Sequence, residues 1–431
     1  MKTEQLYKIF RQQSAGITTD SRTVARGQIF FALRGHNHDG NRFISDALAK
    51  GAFVAITDDP AYENEKTILV DDCLTELQAL ATLHRKTVGA KVLAITGTNG
   101  KTTTKELIAA VLAKKFRVHK TSGNLNNEIG LPLTILAAPE GTEIMVLEMG
   151  ANHIGEIRSL CSIAMPDFGI ITNIGTAHIE GFGSADGVLR TKTELYEYLV
   201  KVNGVAIFND NDPVLAGQII KTGVRAVPFS SPAGKRLTIK PMASELNLCV
   251  RVRYQHRLLD VSTMLFGSYN LENVQAAFAA GMFMGVGIDE MAEAVAGYQP
   301  TNNRSEVRVT ASNTLVCDSY NANPTSMSGV IRSFSNLRNK DKALILGDML
   351  ELGECSHEEH LRILELLELF DPSSVYLVGP IFQETAENTD YKSFQDVDSL
   401  AGYLRENPLK NKLVLIKGSR KMTLEKLYDL L

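Results

Sequence analysis

Cysteine is scarce and scattered. The five residues Cys73, Cys161, Cys249, Cys317 and Cys355 form neither a zinc-ligand spacing nor an even disulfide framework, which points to a reducing, cytoplasmic setting. Charge of one sign is lacking too. Forty-five Lys and Arg against 49 Asp and Glu leave a net charge of −4, and no segment is a basic block, so no nucleic-acid or anionic-membrane partner is expected. Long hydrophobic runs are also missing. The longest, 276–288, is interrupted by glycine and falls short of the roughly 20 residues a membrane span needs, so it reads as a buried helix and no membrane insertion is expected. The opening Met1-Lys2-Thr3-Glu4-Gln5 has no apolar signal core behind it. What remains is an ordinary soluble composition, 44% apolar and 22% charged over 431 residues, enough for about three domains.

Three styles of sequence follow one another. Residues 1 to about 88 mix short strands with helices: 27–33 reads as a strand, 46–50 as a helix end stopped by Gly51, and 53–57 as the next strand. From about 91 the rhythm is strand, Gly-rich turn, helix. The runs 92–96, 144–147, 168–172 and 205–208 are of buried-strand type, and alternation with helices predicts a parallel sheet covered on both faces. Residues 236–266 look like an antiparallel insertion, after which a helix from Asn270 to about Gly285 returns to the main body. A third region starts near Pro300 with four buried strands, 315–318, 343–347, 375–379 and 413–418. It reads as a small doubly wound domain with ligand groups at the carboxyl ends of its strands. The expected class is α/β in three domains, 1–88, 89–299 and 300–431.

The strongest chemical signal is Gly97-Thr98-Asn99-Gly100-Lys101-Thr102-Thr103, set between a strand and a helix. Backbone N–H groups in such a loop point at phosphate oxygens, and the helix that follows adds its positive N-terminal dipole. Lys101 reaches the β- and γ-phosphates and Thr102 is a Mg²⁺ ligand in that pattern. The motif departs from the usual P-loop, whose first Gly would fall on Ile95. Glu148, at the end of the strand 144–147, reads equally as a metal ligand or as a solvated strand-end acid. His178 lies just beyond a strand and is read as structural or as a ligand. Lys192 reads by itself as a surface lysine, Asn270 and Asn273 as helix caps, and Arg304 with Asp318 as an ordinary ion pair.

Taken together, the 97–103 loop, the His178 segment and the Asn270…Asn273 helix followed by Arg304 resemble the Mur ligase family over essentially the whole chain. Five further segments, 121–132, 149–157, 180–184, 318–324 and 347–353, are similar to the branch that adds D-Ala-D-Ala to UDP-N-acetylmuramoyl-tripeptide, and the Asp-Asn-Pro-Arg signature of the diaminopimelate-adding branch is absent. The resemblance departs at Asn41, where histidine is expected, near the nucleotide-sugar end.

The resemblance implies an N-terminal mixed α/β domain binding the UDP-sugar-peptide, a central P-loop ATPase domain, and a C-terminal Rossmann-like domain that binds the acceptor dipeptide. It implies ATP and two Mg²⁺ ions as cofactors. Thr102 and Glu148 would hold the first ion. His178 would hold the second, supported by Lys192 as a carbamylated lysine. Carbamylation needs a neutral amine, and at a reference pKa of about 10.4 only roughly one lysine in 10³ is neutral at pH 7. Leu189 and Leu195 are its candidate desolvating neighbours. Asn270 and Asn273 would contact adenine, Arg304 phosphate and Asp318 ribose. Ser21 and Arg22 would meet the uridine diphosphate, and Asn124 and Asn126 are further substrate candidates. Asn323, Asp348, Met349 and Leu350 would meet the dipeptide. A monomer is expected.

The implied reaction runs through an acyl phosphate, and holding both reactants in place contributes about 7–11 kcal/mol. Closure of the domains would exclude the water that hydrolyses such an intermediate. Three rivals stand beside this reading: a sibling ligase adding a different amino acid, a P-loop ATPase or kinase without an amine acceptor, and a nucleotide-binding protein without catalysis.

Overall fold

Four short parallel strands open the fold, in the order Ile17–Thr18, Ile29–Phe31, Val54–Thr57, Thr67–Leu69. The computed structural model describes residues 3–35, 37–175, 182, 184–338, 341–370, 372 and 374–431. One face of this first sheet is covered by its own helix Ile44–Ala49, through Phe30, Ala32, Ile44 and Ala47. The other face carries Ile29, Phe31 and Ile56 into a core shared with Leu77, Leu80, Leu131, Ile135 and Leu160. Helix Cys73–Val88 makes that junction, starting at an Asp72 cap (Oδ1 accepts from Thr75 N–H, 2.6 Å) and ending at Gly89 in the left-handed region (φ 68°). It packs against helices Gly130–Leu136 and Glu156–Ala164 of the central region.

The central sheet has six parallel strands, in the order Arg225–Pro228, Val205–Phe208, Phe168–Ile171, Lys91–Thr96, Ile144–Glu148, Val118–Lys120. The first strand in sequence, Lys91–Thr96, lies in the middle, and later strands are added on both sides of it. Its carboxyl end is therefore the switch point where ligands bind in such sheets. The antiparallel insertion is three-stranded, Leu237–Met242, Asn247–Tyr254 and Arg257–Phe266. The apolar run 276–288 is a buried helix in part only. Helix Leu271–Phe283 stops before Gly285 (φ +77°), and a second helix starts at Ile288.

The third region holds a six-stranded sheet: Glu306–Val309, Thr314–Cys317, Leu413–Lys417, Lys342–Gly347, Val375–Val378, Lys392–Phe394. Only the first pair is antiparallel. Its four central strands are those the apolar runs mark; both edge strands lack such a run, being half-buried or exposed. No helix among the described residues is long and apolar enough to cross a membrane.

Candidate active site

The 97–103 loop joins the carboxyl end of Lys91–Thr96 to helix Lys101–Leu112. Glycine is required at both of its bends. Gly97 has φ +142°, and a Cβ there would lie 2.0 Å from Thr172 Oγ1; Gly100 has φ +78°, and its Cβ would meet Asn273 Oδ1 at 2.5 Å. The loop is held from the neighbouring strand end, where Thr172 Oγ1 donates to Asn99 O (2.6 Å), while Asn99 N–H donates to Asn173 Oδ1 (3.0 Å). Lys101 folds over the loop, donating to Gly97 O (2.9 Å) and Thr98 O (3.0 Å). Burial lowers its pKa, and the nearby Glu148 carboxylate opposes that shift. Thr102 and Thr103, on the first turn of the helix, border the same cleft, a space of about 900 Å³.

Glu148 is not a solvated strand-end acid. It is 2% exposed. Its Oε1 accepts from Asn126 Nδ2 (2.8 Å), and Lys105 Nζ lies 3.8 Å from Oε2. That second oxygen is buried with no hydrogen-bond partner, an anionic hard-oxygen donor on a residue that lines the cleft together with Thr102. These donors suit a Mg²⁺ that takes its other ligands from phosphate and water. Among the described residues no group of three or more His, Cys, Asp or Glu side chains is placed to hold a metal by itself. His178 lies outside the described residues.

Lys192 is not a surface lysine either. It sits on helix Ala185–Lys201, is 2% exposed, and its Nζ lies 3.4 Å from Ala151 O and 5.2 Å from the centre of the Phe182 ring. Burial, with repulsion from Lys101 second, lowers its pKa to about 7. Leu195 is fully buried beside it in sequence, whereas Leu189 is half-buried. Two residues on, Glu194 accepts from the Gly155 N–H (2.8 Å) and Arg158 N–H (2.9 Å), which pins this helix to the start of Glu156–Ala164.

The opposite wall comes from the helix Leu271–Phe283 and the third region. Asn270 and Asn273 make no side-chain cap. Asn270 Nδ2 donates to Phe266 O (2.8 Å) and Ser305 Oγ (3.0 Å), Asn273 Nδ2 donates to Asn270 Oδ1 (2.8 Å), and Thr104 Oγ1 donates to Asn273 Oδ1 (2.9 Å). Arg304 and Asp318 do not pair with each other. The Arg304 guanidinium stacks 3.6 Å over the Tyr320 ring and its buried Nε has no hydrogen-bond partner, while Asp318 Oδ2 accepts from Lys417 Nζ (2.7 Å). Lys417 and Lys105 are not singled out by any motif, and Tyr320 only as part of the 318–324 segment; the fold brings all three here.

Asn124, Asn126 and Asn323 line the cleft with these groups. Five of the expected substrate residues do not. Asp348 is fully buried and accepts from the Ile381 (3.0 Å) and Phe382 (2.9 Å) N–H groups, so its carboxylate holds the start of helix Pro380–Thr385 instead of facing a ligand. Met349 is fully buried, and its N–H donates to His360 Nε2 (3.0 Å). Ser21 and Arg22 lie on the first sheet's loop, away from the phosphate cleft; Arg22 is exposed and pairs with Asp20 (2.8 Å). Leu350, half-buried, donates its N–H to Ser419 Oγ (2.8 Å). The unexpected Asn41 is interior: its Oδ1 accepts from Thr57 Oγ1 (2.7 Å) and its Nδ2 donates to Asp39 and Asp58.

Comparison with known proteins agrees with this layout. Residues 13–118 match the Mur ligase family catalytic domain, 95–281 the Mur ligase middle domain, and 303–420 the Mur ligase glutamate ligase domain. A UDP-N-acetylmuramoyl-tripeptide–D-alanyl-D-alanine ligase of Bacillus subtilis is 36% identical over 96% of this chain and 92% of its own, and the Escherichia coli enzyme of that name is 32% identical over 95% and 92%. Among solved structures, MurF ligase of Thermotoga maritima in complex with ADP superposes with a TM-score of 0.85 at 30% identity, covering 96% of each chain. MurF of Acinetobacter baumannii gives 0.86 at 29% identity over 99% of this chain and 98% of the other. A nucleotide cleft assembled from regions more than 300 positions apart, and shared from end to end with relatives as near as 36% identity, makes this chain a member of the Mur ligase family.

Proposed function

We infer that the chain is an ATP-dependent ligase of peptidoglycan precursor synthesis, joining D-Ala-D-Ala to UDP-N-acetylmuramoyl-tripeptide and releasing UDP-N-acetylmuramoyl-pentapeptide, ADP and phosphate. The observation that carries this is the full-length similarity to ligases of that name in Bacillus subtilis, Treponema pallidum and Escherichia coli, over a cleft built for a nucleoside triphosphate. The cytoplasm is the proposed site of action, in keeping with five free cysteines.

The chemistry follows from charge. A carboxylate acylates poorly, so its oxygen first attacks the γ-phosphorus of ATP, and ADP leaves. Two anions must meet in that step. Lys101 and the N–H groups of the 97–103 loop neutralise the phosphoryl oxygens. Thr102 and Glu148 would hold a Mg²⁺, which would supply further charge neutralisation. A second ion is assigned to His178 and Lys192. The Lys192 amine, drawn down to about 7 by burial, is neutral often enough near pH 7 to take up CO₂ as a carbamate. The amine of D-Ala-D-Ala then attacks the acyl carbon, and the tetrahedral intermediate expels phosphate as the amide forms.

In this reading Asn270 and Asn273 border the adenine, Arg304 a phosphate, and Asp318 the ribose, with Lys417 holding the Asp318 carboxylate in place. Ser21 and Arg22 serve the uridine diphosphate, and Asn124 and Asn126 the peptide arm. Phosphate release from ATP and Mg²⁺ with the tripeptide precursor, with and without D-Ala-D-Ala, tests it. Release that needs both, with a pentapeptide product by mass, is expected. Release with neither substrate marks an ATPase. Release only with a free amino acid and a shorter precursor marks a sibling ligase.

A further inference from the structure

One hydrogen bond ties the third region directly to the phosphate loop. Asn323 Nδ2 donates to Asn99 Oδ1 at 2.7 Å, across 224 positions of sequence. Both residues line the cleft. The orientation of each amide follows from its other partner. Asn323 is the N-cap of helix Pro324–Ser335, and its Oδ1 accepts from the Ser326 backbone N–H (2.9 Å), a group that can only donate. Ser326 Oγ closes the same cap by accepting from the Asn323 N–H (3.1 Å). The Asn323 NH₂ is thus forced toward Asn99, and Asn99 must answer with its oxygen. That leaves Asn99 Nδ2 as a buried donor with no acceptor in the protein. The backbone of Asn99 is fixed independently, its N–H by Asn173 Oδ1 (3.0 Å) and its carbonyl by Thr172 Oγ1 (2.6 Å), so only the side-chain amide remains to be set.

A buried amide donor inside a phosphate loop is costly unless an incoming acceptor satisfies it. The reaction brings such an acceptor as a phosphoryl oxygen. We propose that Asn323 is a positioning residue: seated on the loop, it turns the Asn99 amide so that its NH₂ is offered to the transferring phosphoryl group. The loop then has its full set of donors only while the third region is docked. This rests on the ligase reading for the identity of the acceptor, and it gives Asn323 a task other than contact with the dipeptide.

Asn323→Asp separates the possibilities. Aspartate keeps the helix cap, since one oxygen still accepts from Ser326 N–H, but presents a second oxygen to Asn99. Asn99 then flips to donate, and its carbonyl oxygen is left facing the anionic phosphoryl group. The expected result is a fall in kcat of about 10²-fold, the size seen when one donor to a developing oxyanion is lost. KM for D-Ala-D-Ala and the unfolding midpoint stay near those of the unmodified chain. Affinity for a non-hydrolysable ATP analogue, by calorimetry, falls about tenfold. In an Asn99→Ala background, Asn323→Asp adds nothing further to either loss.

A rise in KM for D-Ala-D-Ala with kcat kept, or an equal loss with and without the Asn99 side chain, overturns the proposal. Should the unmodified chain release no phosphate with these substrates, the ligase reading fails by itself, and the analogue affinities of the four chains still decide the Asn323–Asn99 coupling.

Discussion

Lys192 offers the sharpest test of how the site is built. Its amine is nearly water-free, and burial brings its pKa from an unfolded-chain value of 10.5 to about 7. Below pH 7 both states are protonated, and the folded chain carries the full cost of a buried cation. Between the two values the unfolded chain binds a proton that the folded chain does not, so stability rises with pH; above 10.5 the cost is gone. At 1.36 kcal/mol per unit the whole effect is about 5 kcal/mol, of which roughly 2 to 3 kcal/mol disappears between about pH 6 and pH 9. Lys192→Met fills the same space without the charge. Urea unfolding of both chains, in carbonate-free buffer, should show the variant more stable at the lower pH by several kcal/mol and the gap narrowing by that amount at the higher. The variant should also lose ligase activity. A stability gap that is the same at both pH values would refute the buried-amine account.

The other predictions concern the loop and its walls. Gly97→Ala places a methyl group against Thr172 Oγ1 at a left-handed φ and should cost about 1–3 kcal/mol from backbone strain alone, with nucleotide affinity lost in calorimetry. Unchanged affinity would mean that the loop tolerates a side chain there. Asp318→Asn takes the counter-ion from the buried Lys417, which keeps its bond to Asn321 O, and should destabilise the chain by about 3–5 kcal/mol; adding Lys417→Met should recover most of the stability in urea but none of the ATP affinity. Glu148→Gln should raise the Mg²⁺ concentration for half-maximal phosphate release by about 10- to 100-fold, at least the loss seen when a mere supporting residue is removed. An unmoved Mg²⁺ titration would take Glu148 out of the metal site.

Backbone features were the legible part of this chain. Runs such as 92–96 and 343–347 are apolar because both faces of a parallel sheet are covered, so composition alone marks them. Edge strands such as Val118–Lys120 and Lys392–Phe394 have half-solvated faces and carry no such mark. The glycines of the phosphate loop were readable because their φ values forbid other residues. Side-chain pairings were not. Arg304 and Asp318 looked like each other's partners, but the guanidinium stacks on Tyr320 and the carboxylate belongs to Lys417, nearly 100 positions away. Lys192 looked exposed because helical spacing does not say which face of its helix meets another. Asp348 was expected to meet the dipeptide only through the family resemblance of its segment, and it spends its oxygens on the Ile381 and Phe382 N–H groups instead.

The core shared by the first and central sheets bears on the order in which the chain is made. Ile29, Phe31 and Ile56 pack into the cluster that holds Leu131, Ile135 and Leu160, which a ribosome delivers some hundred residues later. Until then the nascent N-terminal segment has helix Ile44–Ala49 on one face and an unfinished apolar surface on the other. Synthesis halted before Gly130 would leave that surface open to chaperones or to aggregation. A halt near Pro300 would release a block whose first two sheets already have their partners. The third region, with its own core around Val316, Leu344 and Leu415, is the part of this protein that can fold last.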